Sequence, residues 1–380
     1  MPIDFQQIPS PCYVLDEHLL EKNLRLIASV QERASVDIIL ALKGFAMWGV
    51  FPKVKKYVGS TTASSLHEAR LGWEEFGAPV HTFAPAYTPS DFPDILRYSS
   101  HLTFNSLSQF HQLLPRVREA GKKISLGLRV NPEFSEVETE LYNPCAPGSR
   151  LGVIAENLPD VLPEEIEGLH FHTLCESKSF DLEKTLQAFE SRFGRFFSQI
   201  RWVNMGGGHL MTHKDYDVEH LIALLIAFRK RTGLQVFLEP GSAFAWETGF
   251  LVSTVVDVVE NRGIRTALLD VSFAAHMPDC LEMPYKPRIV GSYFEPRSGK
   301  PTYRMGGNSC LSGDWVGSWS FDEELKPGDR IVFEDMIHYT MVKTTFFNGV
   351  NHPSIGTWND QTGFHLLRKF GYNDFKNKLS

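Results

Sequence analysis

Two hydrophobic periods alternate along the first 250 residues or so of the chain. Short apolar runs at Val36–Leu42 ("VDIILAL"), Ser60–Ala63, Val80–Phe83, His101–Phe104, Ile124–Val130, Gly168–His172, Trp202–Met205 and Gln235–Leu238 have the length and composition of buried strands. Most are separated by stretches with apolar positions three and four apart. "LLEKNLRLIASVQERA" precedes the first strand, and "HLIALLIAFRKRTG" precedes the last, with Gly233 as its helix stop. Eight short strands alternating with helices predict a parallel (β/α)8 TIM barrel. Beyond about residue 250 the texture changes. "FLVSTVVDVVENRG", "IRTALLDVSF", "RIVGSYFEP" and "RIVFEDMIHYTMVK" are β-rich, and Pro327-Gly328-Asp329 is a turn that opens a strand. These segments predict a C-terminal all-β barrel domain, to which the early "SPCYVL" adds a strand. The expected division is a barrel over 17–248 and a β-domain made of 1–16 and 249–380.

Composition narrows the function classes. A length of 380 residues favours two domains, and 43% hydrophobic with 22% charged residues is ordinary globular usage. A net charge of −7 and the absence of a Lys/Arg-rich block argue against a nucleic-acid partner. The five cysteines are odd in number and contain no C-x-x-C pair, so neither a disulfide framework nor a zinc site is expected. Reduced thiols suit the cytoplasm. The first residues lack a basic and an apolar leader region, and no apolar run has bilayer-spanning length, so no membrane partner is expected.

In a barrel of this kind the chemistry sits at the C-terminal strand ends. Those ends carry Lys43, Ser64, Pro85, Asn105, Arg129, His172, Gly206 and Glu239. A lysine after an apolar strand is ordinarily a solvated residue. Its convergence with arginine, histidine, a glycine run and glutamate on one barrel face argues for a site. Gly206-Gly207-Gly208 bares backbone N–H groups suited to a phosphate, although taken alone it reads first as a flexible strand-to-helix turn. Glu239, buried at a strand end, needs a cation, a proton or a ring nitrogen as partner. His170 and His172 share one strand face. One reads as a satisfied core histidine; His172, at the strand end, is placed to stack on a flat ligand. No third ligand at metal spacing accompanies them, so no metal is expected. In the β-domain, Cys310 and Asp314 lie in the Gly/Ser-rich "GGNSCLSGDW", and Tyr339 lies in "DMIHYTMVK".

These pieces together resemble the fold-type III pyridoxal-phosphate decarboxylases, whose barrel is alanine racemase-like. The resemblance runs from Pro11 to about residue 350 and rests on the order lysine, histidine, glycine run, Glu-Pro-Gly, Cys…Asp loop and tyrosine. Within that family, "LALKGF", "ELYNPCAPGSRLGV", "GLHFHTLCE", "AAHMPDCLEMPY" and "NSCLSGDW" are similar to the carboxynorspermidine and carboxyspermidine decarboxylases.

The resemblance implies pyridoxal 5'-phosphate bonded to Lys43, His172 on its ring face, Glu239 at its ring nitrogen, and Arg129, Gly207, Gly208 and Tyr339 around it. It also implies a homodimer with shared active sites, in which Cys310 from the neighbour supplies a proton. Ser242, His276, Asp279 and Asp314 would face a carboxylated polyamine. Two positions depart from the wider family pattern: Ser242 replaces an arginine near the phosphate, and Cys175 replaces a serine. The competing readings are a diaminopimelate or basic amino-acid decarboxylase, an amino-acid racemase, and a non-catalytic cofactor carrier. Glu239, which would protonate the ring nitrogen, speaks against the racemase. The second domain speaks against the carrier.

Overall fold

A computed structural model describes residues 3–137 and 139–380. The chain forms two compact units, one of residues Asn23–Phe244 and one of the chain up to Lys22 with Ala245–Ser380. Strand β1 (Cys12–Asp16) belongs to the second of these units.

The first unit is a parallel barrel. Its strands are β2 (Asp37–Ile38), β3 (Leu40–Ala41), β4 (Thr61–Ala63), β5 (Val80–Phe83), β6 (Ser99–Phe104), β7 (Ser125–Arg129), β8 (Ile166–His170), β9 (Trp202–Asn204) and β10 (Gln235–Leu238). The first expected strand is divided at Ile39, which gives nine segments. The division closes the barrel. Ile39 and Ala41 donate their amides to Leu238 O (2.9 Å) and Pro240 O (3.1 Å), while Leu40 and Leu42 donate to Ser60 O (3.2 Å) and Thr62 O (3.1 Å). Alternate residues thus serve opposite neighbours, as period-two pleating requires. The last barrel helix, Val218–Thr232, is capped by Asp217, whose carboxylate accepts from the His220 amide at 2.9 Å, and it ends at Gly233 with φ of +71°.

Inside the barrel, Trp202 of β9 lies over two glycines, Gly168 of the adjacent β8 and Gly127 of β7 beyond it. A Cβ at Gly168 would fall 2.0 Å from the indole, and one at Gly127 would fall 2.4 Å from it. The glycines are therefore a packing requirement: the indole fills the volume their side chains lack. His81 and His101 stack beside it with ring centres 3.8 Å apart, and Phe237 meets both edge-on.

The second unit is one branched sheet. β1 pairs antiparallel with β11 (Gly249–Asn261) and parallel with β16 (Ser354–Asn359), which pairs with β17 (Gly363–Arg368). β11 also pairs with β12 (Ile264–Leu269) and β15 (Arg330–Glu334), and β13 (Thr302–Gly306) with β14 (Trp315–Ser320) extends the β12 edge. Cys12, Val14, Val252, Val332 and Trp358 form a core cluster there. The unit is not wholly β: helix Tyr372–Leu379 ends the chain, and short helices follow β12. Among the described residues, no helix is long and apolar enough to cross a membrane.

Replacing Gly168 with alanine forces the Trp202 ring aside, so Gly168→Ala is expected to lose about 1–3 kcal/mol in urea unfolding. Trp202→Phe in that background should recover part of the loss. An unchanged midpoint for the single variant would contradict this packing.

Candidate active site

Lys43 follows β3 by two residues. Its Nζ lies 3.0 Å from Nε2 of His172. The other ring nitrogen, Nδ1 of His172, accepts the Gly207 amide hydrogen at 2.9 Å. A neutral imidazole carries one N–H, so this acceptor role leaves the proton on Nε2, pointing at Lys43. Two N–H donors cannot satisfy each other, and Lys43 therefore meets the ring as a free amine. The electrostatics agree. Burial, reinforced by the Arg129 charge, holds Lys43 below its ordinary value of 10.5. Burial, with the Arg129 charge adding to it, holds His172 well below the usual histidine range.

The glycine run that supplies this amide is tightly enclosed. Gly206 and Gly208 have φ of +67° and +87°. A Cβ at Gly206 would stand 2.5 Å from Phe171 O, one at Gly207 2.5 Å from Glu239 O, and one at Gly208 2.2 Å from Leu174 O. Backbone lies against backbone on three sides, which only glycine permits. The Gly207 N–H is committed to His172 in this conformation.

Arg129 ends β7 with 4% exposure. Its Nη2 donates to the His172 carbonyl at 3.1 Å, and its guanidinium lies 4.7 Å from the Phe83 ring centre. Burial brings it down to about 10, so it stays charged at neutral pH. It therefore fixes the His172 backbone and biases both Lys43 and His172 toward their neutral forms.

Glu239 follows β10. Its Oε1 accepts from Asn204 Nδ2 at 2.6 Å, the Thr62 hydroxyl also bonds the carboxylate, and Oε2 lies 3.6 Å from His170 Nε2. Burial pushes this carboxyl above its ordinary value; the Asn204 and Thr62 hydrogen bonds and the Arg129 charge pull the other way without cancelling it. Asn204 also accepts the Gly206 amide at 2.9 Å, so one side chain ties the glycine turn to Glu239. Sequence reasoning passed over Asn204 and Thr62. The signal for Asn204 was a polar residue inside an apolar strand just before the glycines. His170 departs from its sequence reading: it is 2% exposed, but neither ring nitrogen has a hydrogen-bond partner.

Two further residues border this cluster. Glu68, in the first turn of helix Leu66–Leu71, accepts the Ser64 amide at 2.6 Å and acts electrostatically on Lys43. Ser242 begins the short helix Ser242–Ala245 after Glu239-Pro240-Gly241, where a Cβ at Gly44 would come within 2.8 Å of Gly241 Cα and 3.3 Å of the Ser242 amide.

The remaining sequence candidates gather on one loop cluster of the sheet unit. Cys310 is exposed, and its amide donates to Asn348 Oδ1 at 2.9 Å. Asp314 is 4% exposed and accepts the Ala274 amide (2.9 Å) on one oxygen and the Ser309 amide (3.0 Å) on the other. Its carboxylate thus shapes the loop carrying Cys310. Asp279 accepts the Tyr285 and Thr340 hydroxyls, each at 2.8 Å, and Tyr339 adjoins Thr340. His276 departs from the expectation of a ligand-facing residue. It has 0% exposure, its Nδ1 accepts the Ser272 amide at 3.1 Å, and its carbonyl accepts the Tyr13 hydroxyl. Burial, then His352, brings it down to about 3. A side chain with no accessible surface cannot touch a ligand in this conformation.

Comparison with known proteins decides the class. The family model for the pyridoxal-dependent decarboxylase C-terminal sheet domain matches residues 12–337. The chain belongs to the pyridoxal-dependent decarboxylases. It is 52% identical to the carboxyaminopropylagmatine decarboxylase of Synechocystis sp., over 98% of this chain and 96% of the relative. It is 43% identical to the carboxynorspermidine/carboxyspermidine decarboxylase of Campylobacter jejuni, over 98% of each. The crystal structure of Campylobacter jejuni carboxynorspermidine decarboxylase complexed with norspermidine superposes with a TM-score of 0.91 at 41% identity, covering 98% of this chain and 100% of that one. Diaminopimelate decarboxylase from Helicobacter pylori shares the fold, with a TM-score of 0.83 at 15% identity.

The barrel residues fit pyridoxal phosphate, the cofactor of this decarboxylase family. Its aldehyde requires an unprotonated amine, which the His172 tautomer provides at Lys43. Its ring nitrogen requires a carboxylate, and Glu239, whose Oε2 lies 3.6 Å from His170 Nε2, offers one. Cofactor-free protein is expected to capture added pyridoxal phosphate at rates that level off below pH 10.5, because burial lowers the Lys43 ammonium from its ordinary value. Borohydride should fix the cofactor to the wild type and not to Lys43→Ala. A capture rate that rises in step with ordinary lysine titration would contradict the free-amine assignment.

Proposed function

We propose that this decarboxylase acts on carboxylated polyamines, converting carboxynorspermidine to norspermidine and carboxyspermidine to spermidine, in the cytoplasm, as a homodimer. The observation that carries the substrate reading is the full-length likeness to the Campylobacter enzyme, whose crystal form holds norspermidine. A second reading, carboxyaminopropylagmatine, is favoured by the 52% identity to the Synechocystis enzyme. All three substrates present the same amino-acid head and differ in the tail beyond the secondary amine, which ends in an ammonium or a guanidinium.

Bound pyridoxal phosphate supplies the electron sink for the pair left when CO2 departs. The protein's own groups do the rest in this reading. Lys43 holds the cofactor and exchanges a proton at Nζ, and His172 keeps that amine neutral and packs on the ring face. Glu239 faces the ring nitrogen and favours decarboxylation over racemisation. Cys310 of the neighbouring copy, exposed on a loop braced by Asp314, gives a proton to the substrate carbon. The distal amine is held by carboxylates of the same loop cluster, Asp279 foremost, and Tyr339 and Gly208 serve the cofactor phosphate. A net charge of −7 is compatible with a polycationic substrate.

A competition assay tests the reading. Cofactor-loaded protein receives carboxynorspermidine, carboxyspermidine, carboxyaminopropylagmatine, meso-diaminopimelate and ornithine together, and products are followed by mass spectrometry. Norspermidine or spermidine is expected first. Aminopropylagmatine first would select the second reading, and lysine or putrescine first would overturn the polyamine assignment. Cys310→Ala should keep bound cofactor while losing clean amine product; normal turnover would remove Cys310 from its role.

A further inference from the structure

Between the site and the barrel interior lies a histidine that neither the sequence reading nor the proposed chemistry uses. His170 ends β8, and its register neighbours are Arg129 on β7 and Asn204 on β9. Its side chain is 3% exposed, and both ring nitrogens lack a hydrogen-bond partner. Such a group is costly to bury unpaired. Nε2 stands 3.6 Å from Oε2 of Glu239, a few tenths of an ångström beyond a hydrogen bond. The groups facing the imidazole fix its charge. Burial, then the Arg129 charge, disfavours a proton on it, His81 on the β5 side is held neutral by burial, and the Phe83 ring closes one edge with centres 5.3 Å apart. His170 therefore faces Glu239 as a neutral ring.

We propose that His170 is a positioning residue for Glu239: it donates Nε2–H to Oε2 and completes, with Asn204 and Thr62, a set of neutral donors that weakens the carboxylate as a base. The consequence concerns one proton. When the cofactor's ring nitrogen meets Glu239, the proton between them resides on whichever is the stronger base. Every donor to the carboxylate lowers its proton affinity and moves that proton toward the ring, where it strengthens the electron sink. Asn204 anchors Oε1 and braces the glycine turn, and Oε2 is the oxygen His170 reaches. The proposal rests on the cofactor assignment and not on which polyamine is the substrate.

The test reads the ring nitrogen directly. Holoenzyme carrying cofactor labelled with 15N in the ring is compared for wild type, His170→Leu and His170→Gln, the last keeping an N–H near the Nε2 position. His170→Leu is expected to shift the nitrogen signal toward neutral pyridine and lower kcat about tenfold or more with KM little changed, on whichever substrate the competition assay selects. His170→Gln is expected to restore the wild-type signal and most of kcat. An unchanged signal in His170→Leu, or a glutamine variant as impaired as the leucine one, would overturn the proposal. Should His170→Leu fail to fold, histidine-labelled wild type decides: a neutral His170 with its proton on Nε2 supports the assignment, and a proton on Nδ1 defeats it. The nitrogen signal needs no substrate, so it is independent of the substrate reading.

Discussion

One backbone amide controls the protonation of the barrel site. The Gly207 N–H donates to His172 Nδ1, which leaves the imidazole hydrogen on Nε2 and makes the Lys43 nitrogen an acceptor. A peptide N–H cannot change its role with pH, so the arrangement is held by covalent structure and not by a titration. It depends in turn on the glycine turn, whose left-handed residues and close backbone contacts exclude any side chain. Arg129 secures the same arrangement from the other side by holding the His172 carbonyl.

Glu239 meets the opposite problem. A buried carboxylate is stable as an anion only when enough donors surround it, and here the donors in contact are neutral. Burial prevails, and the group is left with a raised proton affinity. The neutral donors, and not the raised affinity, would suit a ring-nitrogen partner, since a permanent ion pair with lysine or arginine would occupy an oxygen that such a partner needs. Arg129 bears on Glu239 only as a charge in its surroundings, and neither Arg129 nor Lys43 forms an ion pair with it among the described residues.

The sheet unit solves a problem of loop shape. A glycine-rich loop bearing an exposed thiol would be mobile without a brace. Asp314 supplies one by accepting two amides, and the Cβ that Gly307 lacks would have struck its carboxylate at 2.3 Å. Asp279, held by two hydroxyls, retains one buried oxygen without a partner. The carboxylates of this unit therefore differ in what each has left to offer.

The alternation of apolar strands with amphipathic helices was enough to locate all eight barrel strands, because buried parallel strands and helices leave unlike periods in a linear sequence. The early strand at Cys12–Asp16 was legible for the same reason. Lys43, Arg129, His172, the glycines and Glu239 were legible because strand ends converge in a barrel. Other features required the tertiary structure. Strand registers decide which side chains share a layer, and the pairing of Arg129, His170 and Asn204 across β7, β8 and β9 has no linear signature. The same holds for burial, which turned His276 into a core residue and left His170 without a partner, and for the tautomer of His172, which depends on an amide 35 residues away. The sequence determined the elements and the types of reactive group, since both follow from local composition and period. The protonation and pairing of those groups were decided by contacts between distant strands, where burial and hydrogen-bond geometry are set.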